Sequence, residues 1–115
     1  MSTNLRPLSF SEFWPRYLAE HLHPANRWLH FVGTSMAIGL CTSWVVFGPW
    51  MLLIGVVVGY SFAWVGHFFV EGNRPASFGH PFYSFAADFK MWSHMLRGTL
   101  EVEMLRAGLL EFEGR

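Results

Sequence analysis

Charge is what this sequence has least of. Only 14% of its 115 residues are Asp, Glu, Lys or Arg, against about 25% in ordinary soluble domains. The formal net charge is zero, and without a Lys/Arg-rich stripe a nucleic-acid partner is excluded. Cysteine is nearly absent as well. Cys41 stands alone, so no internal disulfide can form, and its place in an apolar run predicts a small packing residue. The opening stretch, MSTNLRPLSF, has no compact apolar segment and no small-residue cleavage site, so no secretory signal is expected. Also missing are internal repeats, a glycine-rich phosphate loop ending in Lys-Ser/Thr, and any serine in a G-x-S-x-G setting. At this length a single domain, residues 1–115, is expected.

What the chain has in abundance is apolar surface. Hydrophobic residues make up 52% of it, and from Phe31 to Gly66 there are 36 residues without one Asp, Glu, Lys, Arg or His. Gly48-Pro49 divides this run. The halves, about 28–47 and 50–69, each match the roughly 20 residues a helix needs to cross hydrocarbon. Gly-Pro suits the turn of a helical hairpin, and Trp28, Trp44, Trp50 and Trp64 fall where interfacial tryptophans sit. A buried helix pair in a soluble bundle is the alternative, but so short a chain leaves little to cover two all-apolar helices. The predicted fold is all-α: a membrane helical hairpin with amphipathic or partly membrane-embedded flanking helices, two to four spans in all.

Arg6, Arg16 and Arg27 precede the hairpin, Arg74, Lys90, Arg97 and Arg106 follow it, and the turn is uncharged. The positive-inside rule then places both termini in the cytoplasm. In the first flank Phe10, Phe13, Trp14, Tyr17, Leu18 and His21 recur at helical spacing, with Ser9-x-x-Glu12 as a capping box. Pro15 either kinks this helix or sets its start later than Ser9. After the hairpin, Phe82, Phe85, Phe89, Trp92 and Leu96 form an apolar stripe, read as packing, which Gly98 breaks. Val102, Leu105, Leu109 and Phe112 predict a short final helix.

The histidines carry the functional inference. His30 lies 18 residues before Gly48 and His67 lies 18 after Pro49. In two antiparallel helices rising about 1.5 Å per residue, both reach the same depth, near the cytoplasmic interface. His30, Gly33, Ala37 and Cys41 share one helical face, and Gly55, Gly59, Ala63 and His67 share another. Such small-residue faces let backbones approach closely; they also suit assembly of a homo-oligomer. His21, His23 and His80 are tethered within reach of the same end, and only His94 lies further along. Ionisable groups at a membrane helix end default to a functional reading, and clustered imidazoles suit Fe, Zn, Cu or Ni. One interfacial histidine alone is more often a polar anchor; two at matched depth favour ligation. Glu71, one turn after His67, is a ligand, a partner for an imidazole proton, or a loop cap. Asn26 fixes an imidazole tautomer or caps the first membrane helix. Arg27 and Arg74 hold an anionic head group or are simply positive-inside residues.

The segments HLHPANRWLHFVGT (residues 21–34) and GHFFVEGNRPASFGHP (residues 66–81) resemble the two signature segments of a small membrane-protein family long catalogued as a domain of unknown function. Its characterised eukaryotic member is an endoplasmic-reticulum Fe(II)-dependent 2-hydroxy fatty acid dioxygenase of α-oxidation. The resemblance covers roughly residues 8–100, and the compact length is similar to bacterial members, so a bacterial inner membrane is implied. It implies oxidative shortening of a 2-hydroxy fatty acid by one carbon with O₂, releasing CO₂. It also implies Fe(II) held by His21, His30, His67 and His80, with Glu71, Asn26 and Arg74 beside the iron or the substrate. The acyl chain is expected between apolar helices, its charged head at the interface.

Two other classes compete. A membrane di-iron oxygenase resembles this chain in being histidine-rich, but the H-x-x-x-H and H-x-x-H-H clusters of such enzymes are missing here. A non-catalytic membrane module that binds metal or lipid fits the same cluster without turnover.

Overall fold

The computed structural model describes residues 7–110; Arg6 and Phe112 lie outside the described residues. The order of elements is α1 (Phe10–Ala19), α2 (Pro24–Thr42), α3 (Trp44–Phe47), α4 (Trp50–Val65), a π-helical turn (Gly66–Glu71), a 3-10 turn (Ala76–Phe78), α5 (Pro81–Arg97) and α6 (Leu100–Arg106). Among the described residues every element is helical, as the sequence predicts.

Ser9 starts α1 through the expected capping box: its hydroxyl accepts the Glu12 N–H at 3.2 Å, and the Glu12 carboxylate accepts the Ser9 N–H at 3.0 Å. The helix therefore begins directly after Ser9 and carries Pro15 in its interior. α2 is capped differently from the expectation. His23, not Asn26, is its N-cap, with Nδ1 accepting the Ala25 N–H at 3.1 Å. Pro24 takes the first helical position, where its missing donor costs nothing, and Asn26 is left one step inside the first turn.

α2 and α3 form one apolar rod over Pro24–Phe47, and α4 with the π-helical turn forms a second over Trp50–Glu71. Both are a little longer than the predicted 28–47 and 50–69. Gly48, at φ +103°, makes the turn between them. The two predicted small-residue faces meet. A Cβ on Gly33 would stand 2.7 Å from Phe62 Cβ, one on Gly55 would stand 2.5 Å from Cys41 Sγ, and one on Gly59 would stand 3.2 Å from Ala37 Cβ. Cys41 is thus a small packing residue, and these faces are occupied within the hairpin rather than left for a second copy.

The outside of the hairpin is bare. Only 17% and 22% of the two apolar windows are buried, so the chain does not wrap them as a soluble bundle would. Val45, Phe47, Trp50 and Leu53 are exposed, as are Trp28 and Trp64 at the opposite end. Two helices of this length and apolarity fit membrane association.

A compact core closes the histidine end. Phe13, Trp14, Tyr17 and Leu18 of α1 pack against Ala87 and Met91 of α5 and Leu100 and Met104 of α6. This reverses the predicted packing of α5. Ser84, Ala87 and Met91 face inward, while Phe82, Phe85, Phe89 and Leu96 are exposed. Close packing explains the reversal: α1 brings the aromatic bulk, and α5 fits against it with the small Ala87 and the flexible, unbranched Met91. Trp92 is the exception in the stripe, donating across to Ser35 Oγ of α2 at 2.9 Å.

Candidate metal centre

Three histidines from three elements converge at the base of the hairpin. His21 follows α1, His30 lies on α2, and His67 lies on the π-helical turn. All three are buried, and their rings stand edge to face with centroids 4.5, 4.5 and 4.9 Å apart. One nitrogen from each lies within 4.8 Å of the other two.

The hydrogen bonds behind the rings decide which nitrogens face inward. His21 Nδ1 lies 2.6 Å from the Tyr17 carbonyl and His30 Nδ1 lies 3.0 Å from the Asn26 carbonyl. His67 Nδ1 lies 2.7 Å from Asn73 Oδ1, and Asn73 Nδ2 donates to the Glu20 carbonyl at 3.1 Å, which fixes that amide's orientation. Each Nδ1 meets an acceptor, so each carries the proton, and each Nε2 keeps a free lone pair. His21 Nε2 and His30 Nε2 face one another at 3.2 Å. Two lone pairs that close repel unless a cation lies between them. Nitrogen ligands about 2.1 Å from one ion stand about 3.0–3.4 Å apart in tetrahedral or octahedral geometry. The donor set therefore fits a metal ion. Burial, then the neighbouring His30 and His67 imidazoles, hold the His21 pKa well below its usual value, which keeps it neutral and able to ligate.

Local sequence builds this arrangement. The π-helical turn closes with the Gly72 N–H on the His67 carbonyl at 2.8 Å, a geometry that recurs at functional sites. Gly72 at φ +75° then reverses the chain, so that Asn73 comes back beneath the His67 ring. Asn73→Ala removes the acceptor that orients His67, and metal affinity is expected to fall about 10- to 100-fold; equilibrium metal titration checks this.

The other predicted site residues are placed as follows. Glu71 accepts the His23 N–H at 2.6 Å and an Asn26 Nδ2 hydrogen at 3.3 Å; its carboxylate ties the start of α2 to the π-helical turn. Asn26 is fully buried against Gly66. Arg27 donates to the His21 and Leu22 carbonyls, both at 2.8 Å, clamping the α1–α2 turn that presents His21. His80 is exposed and lies against Phe13 and Tyr83. It lines a separate cavity with Arg16, Glu20 and Arg74, and Arg74 lies over the Phe78 ring. The structure thus brings together His21, His30 and His67, and leaves His80 and Arg74 outside that cluster. His23 stays outside it too, giving its backbone N–H to Glu71 and its ring to the α2 cap.

Sequence reasoning missed Asp88, Tyr17 and Asn73. Tyr17 stacks on His21 at 4.1 Å and donates its hydroxyl to Asp88. Asp88 shares a small cavity with His30 and His67, and burial pushes its pKa up to about 7 although the Tyr17 hydrogen bond works the other way. A signal existed: Asp88 is the one aspartate of the chain and lies between Phe85 and Phe89, where a carboxylate is costly to keep without purpose.

An all-helical chain with two bare apolar helices and three neutral imidazole donors at their base has the features of a membrane-associated metalloprotein. The chain belongs to the Mpo1-like family: the family model, described as 2-hydroxy-palmitic acid dioxygenase Mpo1-like, matches residues 8–100. No curated protein and no solved structure matches significantly.

Proposed function

We propose that this chain is an integral membrane dioxygenase that shortens 2-hydroxy fatty acids by one carbon, with Fe(II) held by His21, His30 and His67. The observation that carries the reading is the set of three inward Nε2 lone pairs, each fixed by an acceptor on Nδ1. Neutral imidazoles accept several metals, but zinc has no redox chemistry, and the family description names a dioxygenase. Iron bound here would supply the electron transfer to O₂ that the overall reaction needs. In that reaction a 2-hydroxy acid and O₂ give the acid one carbon shorter, CO₂ and water.

The protein's own groups have distinct tasks in this reading. Tyr17, Asn26 and Asn73 orient the imidazoles. Asp88, partnered by the Tyr17 hydroxyl, offers a carboxyl group to the substrate's head. Glu71 and Arg27 hold the backbone turns that present His21 and His67. Arg74 and His80, in the separate polar cavity, lie where a carboxylate passes on its way to or from the interface. Arg16, Arg27, Arg74 and Lys90 all belong to the histidine end of the chain, which the positive-inside rule places on the cytoplasmic side.

Protein purified in detergent and loaded anaerobically with Fe(II) is expected to consume O₂ and 2-hydroxypalmitate one to one and to release the 15-carbon acid. Metal binding without any turnover would leave a non-catalytic metal module and overturn the assignment.

A further inference from the structure

Beside the metal centre a groove opens between α2, α4 and α5, with a volume of about 330 Å³. This is near the lower end of ligand sites, about 300–1,000 Å³, and suits one acyl chain rather than a two-chain lipid. Its ends differ in chemistry. At one end lie His30, Tyr60 and Asp88; the far end is walled by Cys41, Thr42 and Val56, and Ile38 and Phe89 lie along it. The Tyr17 hydroxyl engages one Asp88 oxygen, and the described residues give the other no partner. Thr42 lies 12 residues beyond His30 on α2, about 18 Å along the helix axis. One leaflet of hydrocarbon is about 15 Å deep, half the core of about 30 Å. The groove therefore has the length of an ordinary membrane acyl chain, runs along helices of membrane length, and has its histidine and its carboxylate at one end only.

We infer that this groove holds the acyl chain of the substrate, with the head at His30 and Asp88 and the methyl end at Cys41, Thr42 and Val56, and that this far wall sets the chain length. The inference rests on the proposed function for the identity of the head group, but occupancy of the groove is testable without turnover. A side chain enlarged at the wall shortens the slot from its far end. It leaves the head at His30 and Asp88 in place and excludes the last methylenes of a long chain.

The test uses metal-free full-length protein in detergent and 2-hydroxyhexadecanoic acid bearing a diazirine near its methyl end. After photolysis, adducts are expected on Cys41, Thr42 or Val56, and excess 2-hydroxypalmitate should compete them away. Adducts spread over the outward faces, at Val45, Leu53 or Phe82, and not competed, would overturn the inference. Val56→Trp, with Thr42→Trp as a second variant should the first not fold, tests the length limit. Losing burial of about two methylenes predicts roughly tenfold weaker competition by the 16-carbon acid, with the 12-carbon acid unchanged. Equal loss at both lengths, or none, would sink the length limit. Groove labelling in a protein that never turns over would remove the dioxygenase reading alone; turnover without groove labelling would remove the groove alone.

Discussion

Elemental analysis of purified His67→Ala protein should find metal at less than about a tenth of the parent level, and His21→Ala and His30→Ala should behave alike. Losing even an outer partner of a ligand costs about 10- to 100-fold in affinity, and losing one of three donors costs more. The variants are informative because, in the proposed reading, these side chains are held for ligation. Each Nδ1 is already satisfied by an acceptor, and the inward nitrogens of His21 and His30 face one another. Removing the His21 or His30 imidazole from the metal-free protein relieves lone-pair repulsion, which offsets part of the cost of the cavity left behind. Its melting temperature should therefore fall modestly while metal is lost. A purely structural histidine would show the opposite pattern, a large loss of stability with no change in metal. His80→Ala supplies the contrast. Its ring lies against Phe13 and Tyr83, so metal content should stay near the parent value. Loss of metal in His80→Ala, with retention in His21→Ala, would show that the three-ring cluster is not the centre.

The contrast between His21 and His80 also shows what the sequence could reveal. The pairing of His30 with His67 was legible because it depends only on helical rise and on a turn marked by Gly48-Pro49. The glycines at 33, 55 and 59 then told which faces meet, since only small residues permit that approach. His21 and His80 depend instead on where short irregular connections lead, and periodicity says nothing about those. The reversed stripe on α5 has a related cause. Hydrophobic spacing marks an apolar face without saying whether protein or lipid covers it, and here Phe82 and Leu96 are left outside because α1 already fills the core with aromatics. Asn26 stood open between fixing a tautomer and capping the helix because both roles ask for the same residue type. Its real neighbour, Gly66, is 40 positions away.

That neighbour gives the largest expected effect on the fold. A Cβ on Gly66 would fall inside the Asn26 side chain, onto Oδ1, which is buried without a hydrogen-bond partner among the described residues. Neither group has room to move: Asn26 is fully buried and its Nδ2 is held by Glu71. Gly66→Ala must therefore push α2 away from the π-helical turn, at a cost of about 3 kcal/mol, the upper part of the range for overpacked cores. The same displacement parts His30 from His67, so metal should be lost together with stability. Asn26→Ala alone removes a hydrogen bond of 3.3 Å and an unsatisfied acceptor, so it should cost only about 1 kcal/mol. The His30 orienting bond survives this change because it comes from the Asn26 backbone carbonyl. In the double variant the new Cβ would lie 3.5 Å from the residue-26 Cα, an ordinary contact. Asn26→Ala should then rescue Gly66→Ala, with a coupling of about 2 kcal/mol between neighbours that share one space. Thermal unfolding and metal content of the four proteins measure it. A double variant as unstable as Gly66→Ala would mean that something other than this contact requires the glycine, and the close approach of α2 to the π-helical turn would no longer explain how the histidines are brought together.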